Sequence, residues 1–291
     1  MISGGMQLFG VGAIDRGGSQ ESRMNVTAVL AIRNEEAYLA NCLRDLISNG
    51  LDFVVIDNDS TDSSAQIYGR SEFAAHLVRV CRLPFSGAFS LSEQLQRKME
   101  IIKALNSDWV VHVDADEIMH SYREGEGLRE ALSRLDAEGW NVVNFDEFVF
   151  LPIERDYQPE AWGRQPLSYY YFFQPSSPRL MRAWKRDSGF SSAAFGGHLL
   201  AGSNLRLAPE HFALRHYIVR SQEHAFLKYA TRSFAAEDVV RGWHGNRIGQ
   251  PIEAFRLPPV TLLKKLAETS IHDLDRSDPW TQHYWQLRPN D

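Results

Sequence analysis

The sequence predicts an α/β fold: a mostly parallel central sheet with helices on both faces and a more irregular, partly helical C-terminal part. Three observations carry this. Short aliphatic, β-branched runs recur through the first half, apolar residues at helical spacing separate them, and polar or acidic turns follow the runs directly. Val26 to Ile32 is the first run, continuous enough for a strand buried on both faces. Tyr38/Leu39, Cys42/Leu43 and Leu46/Ile47 then mark one helix face, and Gly50 sits where a C-terminal cap belongs. Asp52 to Ile56 is a second strand, closed by the turn Asp57-Asn58-Asp59-Ser60-Thr61-Asp62. Leu77 to Cys81 is a third strand. Ser90-Leu91-Ser92-Glu93 resembles a capping box ahead of Leu91, Leu95, Met99, Ile102 and Leu105. Trp109 to Val113 is a fourth strand running into Asp114-Ala115-Asp116-Glu117.

Beyond residue 140 the pattern changes. Val142 to Phe150 reads as a strand, and residues 151–215 are rich in aromatics, Pro and Gly. Ser221 caps a helix expected to run through Phe234, and a final short helix is expected near Leu262 to Ala267. Residues 1–24 read as a flexible leader, 25–150 as the core, and 151–291 as a further part of the same domain. The aromatic run Ser168-Tyr169-Tyr170-Tyr171-Phe172-Phe173 has two readings, core packing or a platform for sugar C–H faces.

Composition narrows the function classes. The chain has 291 residues, of which 44% are apolar and 23% charged, ordinary values for a folded domain. Its 31 Lys and Arg against 37 Asp and Glu leave a formal charge of −6, which disfavours a broad nucleic-acid surface. No apolar run approaches the ~18 residues of a membrane span. Cys42 and Cys81 cannot form a disulfide framework or a Cys-x-x-Cys pair, and the leader lacks a secretory pattern, so the expected compartment is the cytoplasm.

The strongest chemical signal is Asp114 with Asp116. In an open parallel sheet, ligands bind outside the carboxyl ends of the strands, where these residues fall. Two carboxylates one residue apart suit Mg²⁺ or Mn²⁺ bridged to substrate phosphates, whereas a plain solvated turn is the alternative. Asn58 ends another strand, and its amide matches the hydrogen-bonding edge of a pyrimidine.

These residues carry a resemblance. Thr27-Ala28-Val29-Leu30-Ala31-Ile32-Arg33-Asn34-Glu35-Glu36, then Val55 to Asp62, then Val113-Asp114-Ala115-Asp116-Glu117 resemble, in order and spacing, the landmarks of family 2 glycosyltransferases over residues 25–150. The resemblance implies a GT-A fold, a nucleotide-sugar donor (UDP-sugar favoured), a hydroxyl acceptor on a glycan or lipid-linked glycan, and a divalent cation. It places Asn34, Glu35 and Asn58 at the nucleoside and Asp114 and Asp116 at the metal–diphosphate unit. Ile32 stands where many members carry Pro, and Asn58 where many carry Asp. The Gln-x-x-Arg-Trp motif of processive synthases is absent, which implies transfer of a single sugar. Leu214-Arg215-His216-Tyr217 and Gly242-Trp243-His244-Gly245-Asn246-Arg247 are similar to segments of a subgroup that lacks membrane helices; a role in cell-envelope glycan assembly, with peripheral membrane contact, follows by analogy.

His216 is the candidate third metal ligand and His198 its rival, since imidazole suits Mn²⁺. Lys228, Arg232 and Arg247 are candidates to neutralise the departing diphosphate. Inverting transfer needs a carboxylate base. Glu223, in the first turn after Ser221, is the candidate, with Asp146, Glu147, Glu210, Glu237 and Asp238 as rivals. A nucleotidyltransferase would want a Gly-rich loop where Arg33-Asn34-Glu35-Glu36 stands, and an Asp-x-Asp phosphatase would place its acids after the first strand. A catalytically inactive module that binds nucleotide or glycan is the alternative from another class.

Overall fold

The computed structural model describes residues 23–153, 167–266 and 274–287. The expected leader, apart from Arg23 and Met24, lies outside the described residues. Strands β1 (Val26–Ile32), β2 (Asp52–Asp57), β3 (Leu77–Arg82) and β4 (Trp109–Val113) form the parallel half of the sheet in the order β4-β1-β2-β3. The chain thus moves outward from β1 to β3 and returns on the other side of β1 with β4. The carboxyl ends of β1 and β4 flank this topological switch point, where an open sheet offers a crevice.

Helix α1 (Leu39–Ser48) packs Leu39, Cys42, Leu43 and Leu46 against one sheet face, together with Val26, Ala28 and Leu30. It ends as a Schellman turn. Gly50 adopts φ +78°, its N–H reaches the Ile47 carbonyl, and the Leu51 N–H reaches that of Leu46, each at 2.9 Å. Helix α3 (Leu91–Ala104) covers the opposite face with Met99, Ile101 and Ile102 against Val29, Val54 and Ile56. The short α2 (Ser64–Tyr68) and α4 (Leu128–Ala137) lie with α1 on the first face.

The second half extends the same sheet, but in mixed orientation. Strand β8 (Leu180–Lys185) pairs antiparallel with β4 and with the long β6 (Val142–Leu151); β6 also pairs antiparallel with β7 (Tyr169–Phe173) and parallel with β9 (Phe212–His216). Strand β5 (Glu117–His120) pairs antiparallel with β9, and β10 (Lys264–Lys265) with β7. The expectation of a mostly parallel sheet therefore holds for β1–β4 and gives way beyond them to mixed pairing, antiparallel except between β6 and β9.

Of the two readings of the aromatic run, core packing holds: the run forms β7, Tyr170 to Phe173 are buried, and Tyr171 stacks on Trp280. Two other local expectations are corrected. Ser221 does cap a helix, accepting the His224 N–H at 3.0 Å, but α5 (Gln222–Ala225) passes into a π-helical turn over Phe226–Ala230 and stops there. Thr231 to Phe234 instead turn back so that Phe89 and Phe234 form a bridge. Near Leu262 a single 3₁₀ turn (Val260–Leu262) leads into β10, because Lys264 and Lys265 pair with Tyr170 and Tyr169.

The capping of α3 was only half legible. Ser90 accepts the Glu93 N–H at 3.1 Å, and the fully buried Asp238, in α6 (Ala236–Val240), takes the N–H groups of Leu91 and Ser92 and the Ser92 hydroxyl. A carboxylate at a helix N-terminus satisfies orphan donors and complements the helix dipole. Asp238→Ala is expected to lower stability by about 1–3 kcal/mol, since the N–H groups of Leu91 and Ser92 lose their partner. Urea unfolding of both proteins checks it, with Asp238→Asn recovering part of the loss.

Candidate active site

The site is assembled at the carboxyl ends of β1, β4 and β9. The loop after β1 bends at Asn34, which adopts φ +58°, a left-handed geometry that asparagine tolerates better than most residues. Its side-chain oxygen accepts the Thr61 N–H at 2.7 Å, so the β1 and β2 turns are stapled together. Arg33 donates to the Asn58 and Asp59 carbonyls and lies over the Phe85 ring at 3.5 Å. Asp59, also left-handed, accepts from Arg82 and from the Phe85 N–H. Asn34, Glu35, Arg33 and Phe85 line one lobe of the crevice. Asn58 is buried beside it, its amide nitrogen donating to the Leu83 carbonyl at 2.9 Å.

The deeper lobe holds the acid pair. It is lined by Glu35, Asp114 and Asp116 and by Lys98, Arg182, Lys228, Arg232 and Arg247. The half-exposed Asp114 carboxylate faces Lys98 Nζ and an Arg182 guanidinium nitrogen, both at 3.3 Å. Burial opposes its ionisation, but Lys98 and Arg182 outweigh it and hold the group well below the usual carboxylate range. Arg182 is shared with the buried Glu117 at 2.7 Å, and Glu117 accepts the Asp114 N–H at 2.9 Å, which fixes the acidic turn.

Asp116 is nearly enclosed. One oxygen, Oδ2, meets Lys228 Nζ at 2.7 Å and His216 Nε2 at 3.6 Å. His216 ends β9, where it pairs in register with Glu117 of β5 and Val149 of β6. Its Nδ1 lies 2.6 Å from the buried Glu147, which is also paired with Arg179. Burial disfavours an imidazolium, but Asp116 and Glu147 outweigh it and raise the His216 pKa well above its ordinary value. A carboxylate behind an imidazole that faces a second carboxylate is an arrangement that orients metal-ligating histidines. Among the described residues no group of three His, Cys, Asp or Glu stands close enough to enclose a metal ion. The Asp116 and His216 donors fit a hard cation that takes its remaining ligands from a bound phosphate.

The other expected residues separate cleanly. His198 lines the cavity, but burial, with Arg179 and Arg182 nearby, pushes its pKa down to about 3; His216 is the histidine within 4 Å of Asp116. Arg247 lies over the Tyr229 ring and contacts His244 Nδ1 at 2.8 Å. Glu223 is exposed on the first turn of α5 and does not line the cavity; its own N–H and Ser221 lower its pKa. Asp146 pairs with His211, which lines a separate cavity, Glu210 with Arg134, and Glu237 with Arg241. Glu147 is paired with His216, and Asp238 is held at the α3 terminus.

Glu35 stands apart. Its N–H is held by Ser64 Oγ at 2.9 Å, while its carboxyl reaches the cavity with no ion pair to Lys or Arg among the described residues. Burial pushes this carboxyl up to about 7, with Lys228 opposing and Asp116 reinforcing the shift.

A crevice at the switch point of an α/β sheet, with acids bracketed by cations, has the charge pattern to receive an anionic ligand beside carboxylates. Residues 27–139 match the family model described as glycosyl transferase family 2. A curated relative, the lipopolysaccharide core biosynthesis glycosyltransferase LpsC of Rhizobium meliloti (strain 1021), is 28% identical over 126 residues, 42% of this chain and 42% of the relative. The chain thus spans less than half the length of that relative. Among solved structures, S. aureus TarS 1-349 in complex with UDP-GlcNAc matches at TM-score 0.43 and 15% identity, over 67% of this chain and 58% of that one. The mannosyltransferase PcManGT of Pyrobaculum calidifontis, in complex with GDP-Man and Mn²⁺, matches at 0.39 and 17%, over 76% and 65%. No helix among the described residues is long and apolar enough to cross a membrane.

Proposed function

We propose that the protein is a glycosyltransferase that moves one sugar from a nucleotide sugar, with UDP-sugars favoured, to a hydroxyl of a glycan or lipid-linked acceptor, with inversion. The observation that carries this reading is the Asp116–His216–Glu147 line beside Lys228 at the sheet's switch point. The family match and the lipopolysaccharide-core relative support it and favour a role in cell-envelope glycan assembly at the cytoplasmic side.

In this reading Asp116 and His216, with Asp114 alongside, hold a Mn²⁺ or Mg²⁺ ion. Bound there, the ion would neutralise charge on the donor's diphosphate. Asn34, Arg33 and Phe85 seat the nucleoside in the outer lobe, with Asn58 holding the turn from behind. Lys228, Arg232 and Arg247 face the phosphates from the C-terminal segment. The acceptor oxygen forms a bond to the anomeric carbon as the bond from that carbon to the phosphate oxygen breaks. The nucleoside diphosphate leaves with the bonding electrons. The hydroxyl proton passes to a carboxylate, which we assign to Glu35 rather than Glu223, because Glu35 lines the cavity and its pKa near 7 suits a base.

The test is a panel of nucleotide sugars with Mn²⁺, scored for donor hydrolysis and for thermal stabilisation by UDP. The expected outcome is metal-dependent stabilisation by UDP and turnover of one UDP-sugar. Stabilisation without turnover of any donor would leave the nucleotide-binding module as the function, and no stabilisation by any nucleoside diphosphate would remove both.

A further inference from the structure

The Asp116 oxygen assigned to a cation is already engaged. Lys228 Nζ lies 2.7 Å from Oδ2, the oxygen that His216 Nε2 approaches at 3.6 Å. A Mg²⁺ ion would sit about 2.0–2.1 Å from that oxygen. An ammonium and a dication cannot share it at such distances, because both would be positive and in near contact.

The lysine's position is built into the fold. Lys228 lies in the π-helical turn Phe226–Ala230, a rare geometry that recurs at functional sites. Its ammonium also donates to the Ile218 carbonyl at 3.0 Å, an anchor that does not depend on Asp116. The other C-terminal cations of the cavity rest on rings, Arg232 over Phe89 and Arg247 over Tyr229. Lys98 and Arg182 are held at Asp114.

We propose that Lys228 is the resident counter-ion of Asp116: it yields Oδ2 to the divalent cation and turns to the donor's diphosphate, so that metal and nucleotide bind cooperatively. This rests on the glycosyltransferase reading with a cation at Asp116. Paired with Asp116, Lys228 neutralises a buried carboxylate that would otherwise lie uncompensated. A cation alone must displace it into an unfavourable unpaired state. A cation arriving with a diphosphate offers the displaced ammonium a new anionic partner, which is positive coupling between two ligands.

The experiment is a Mn²⁺ titration of the full chain followed by electron paramagnetic resonance, without and with UDP. Wild type is compared with Lys228→Gln, Lys228→Met (which keeps the apolar stem), Arg232→Gln and Asp116→Asn. Lys228→Gln and Lys228→Met are expected to bind Mn²⁺ alone about tenfold tighter than wild type, bind UDP more weakly, and lose most of the enhancement that UDP confers on Mn²⁺. Arg232→Gln removes the same charge without touching Asp116 and should change Mn²⁺ affinity only slightly. Equal gains in the Arg232 and Lys228 variants would reduce the effect to general electrostatics and overturn the proposal. So would Lys228 variants whose Mn²⁺ affinity is unchanged or weaker while Asp116→Asn abolishes binding. Mn²⁺ binding that survives Asp116→Asn unaltered would overturn the cation assignment itself, and the Lys228 proposal with it.

Discussion

Asp116→Asn is expected to abolish Mn²⁺-dependent UDP binding and to lower sugar transfer by about 10³-fold or more, the scale of several kcal/mol of lost charge stabilisation. The amide is the informative replacement. Asp116→Ala would leave Lys228 and a protonated His216 facing each other without their shared counter-charge, a cost of about 3–5 kcal/mol for a broken buried pair. A folding defect would then obscure the binding result. Asparagine keeps the volume and an oxygen for the Lys228 ammonium but lacks the charge a dication requires. Calorimetric titration with UDP, in Mn²⁺ and in chelator, is the measurement. Unchanged metal dependence in the Asn variant would place the cation elsewhere.

The second large effect falls on Glu35. Glu35→Gln is expected to bind UDP within a few-fold of wild type yet to lose about 10²–10⁴-fold in turnover, the range for a missing general base. The pH profile supplies an independent sign. A carboxyl with its pKa pushed up to about 7 is protonated, and unable to accept the acceptor's proton, below that pH. Wild-type kcat/KM should therefore rise about tenfold per pH unit up to 7 and level off above it, and the rising limb should vanish in the Gln variant. Glu223→Gln is the comparison, since that carboxylate is exposed and held low by its own N–H and Ser221. A loss confined to Glu223→Gln would return the base to the α5 terminus.

Much of the parallel half was legible because its cause is local. Strands buried on both faces read as near-continuous apolar runs, so Val26–Ile32 and Trp109–Val113 announce themselves despite Thr27 and His112, and the acids that follow them stand where a parallel sheet opens. His216 was reached by its place after an apolar stretch, and the fold puts it beside Asp116. What escaped notice depends on distant partners. Lys98 sits among Gln96, Arg97 and Glu100, in what reads as a solvated helix face; only β4 and Asp114 explain its burial. Arg182 lies in a strand between Met181 and Ala183, and its role follows from Glu117, 65 positions earlier. Asp238 looked like a carboxylate free for chemistry until α3, 147 positions away, claimed it. The π-helical turn that carries Lys228 has no apolar period that distinguishes it from an α-helix, so the helix was extended past its end. The position of Glu35 was illegible for a related reason: a helix N-terminus such as that of Glu223 is visible in a sequence, whereas a desolvated carboxyl in a crevice is not.

The pairing of β4 with β8 has a consequence for how this chain can be dissected. The family match ends at residue 139, yet the side of β4 away from β1, at Trp109–Val111, is closed by Lys185–Ala183, from the second half. A fragment cut at the family boundary would carry an unpaired, largely apolar strand along its border, a template for joining other chains edge to edge. It would also forfeit His216 and Lys228, and with them two of the contacts that neutralise Asp116. The first half is therefore not a transplantable module. Chimeras must keep β6, β8 and β9 with it and make their exchanges in the loops between them.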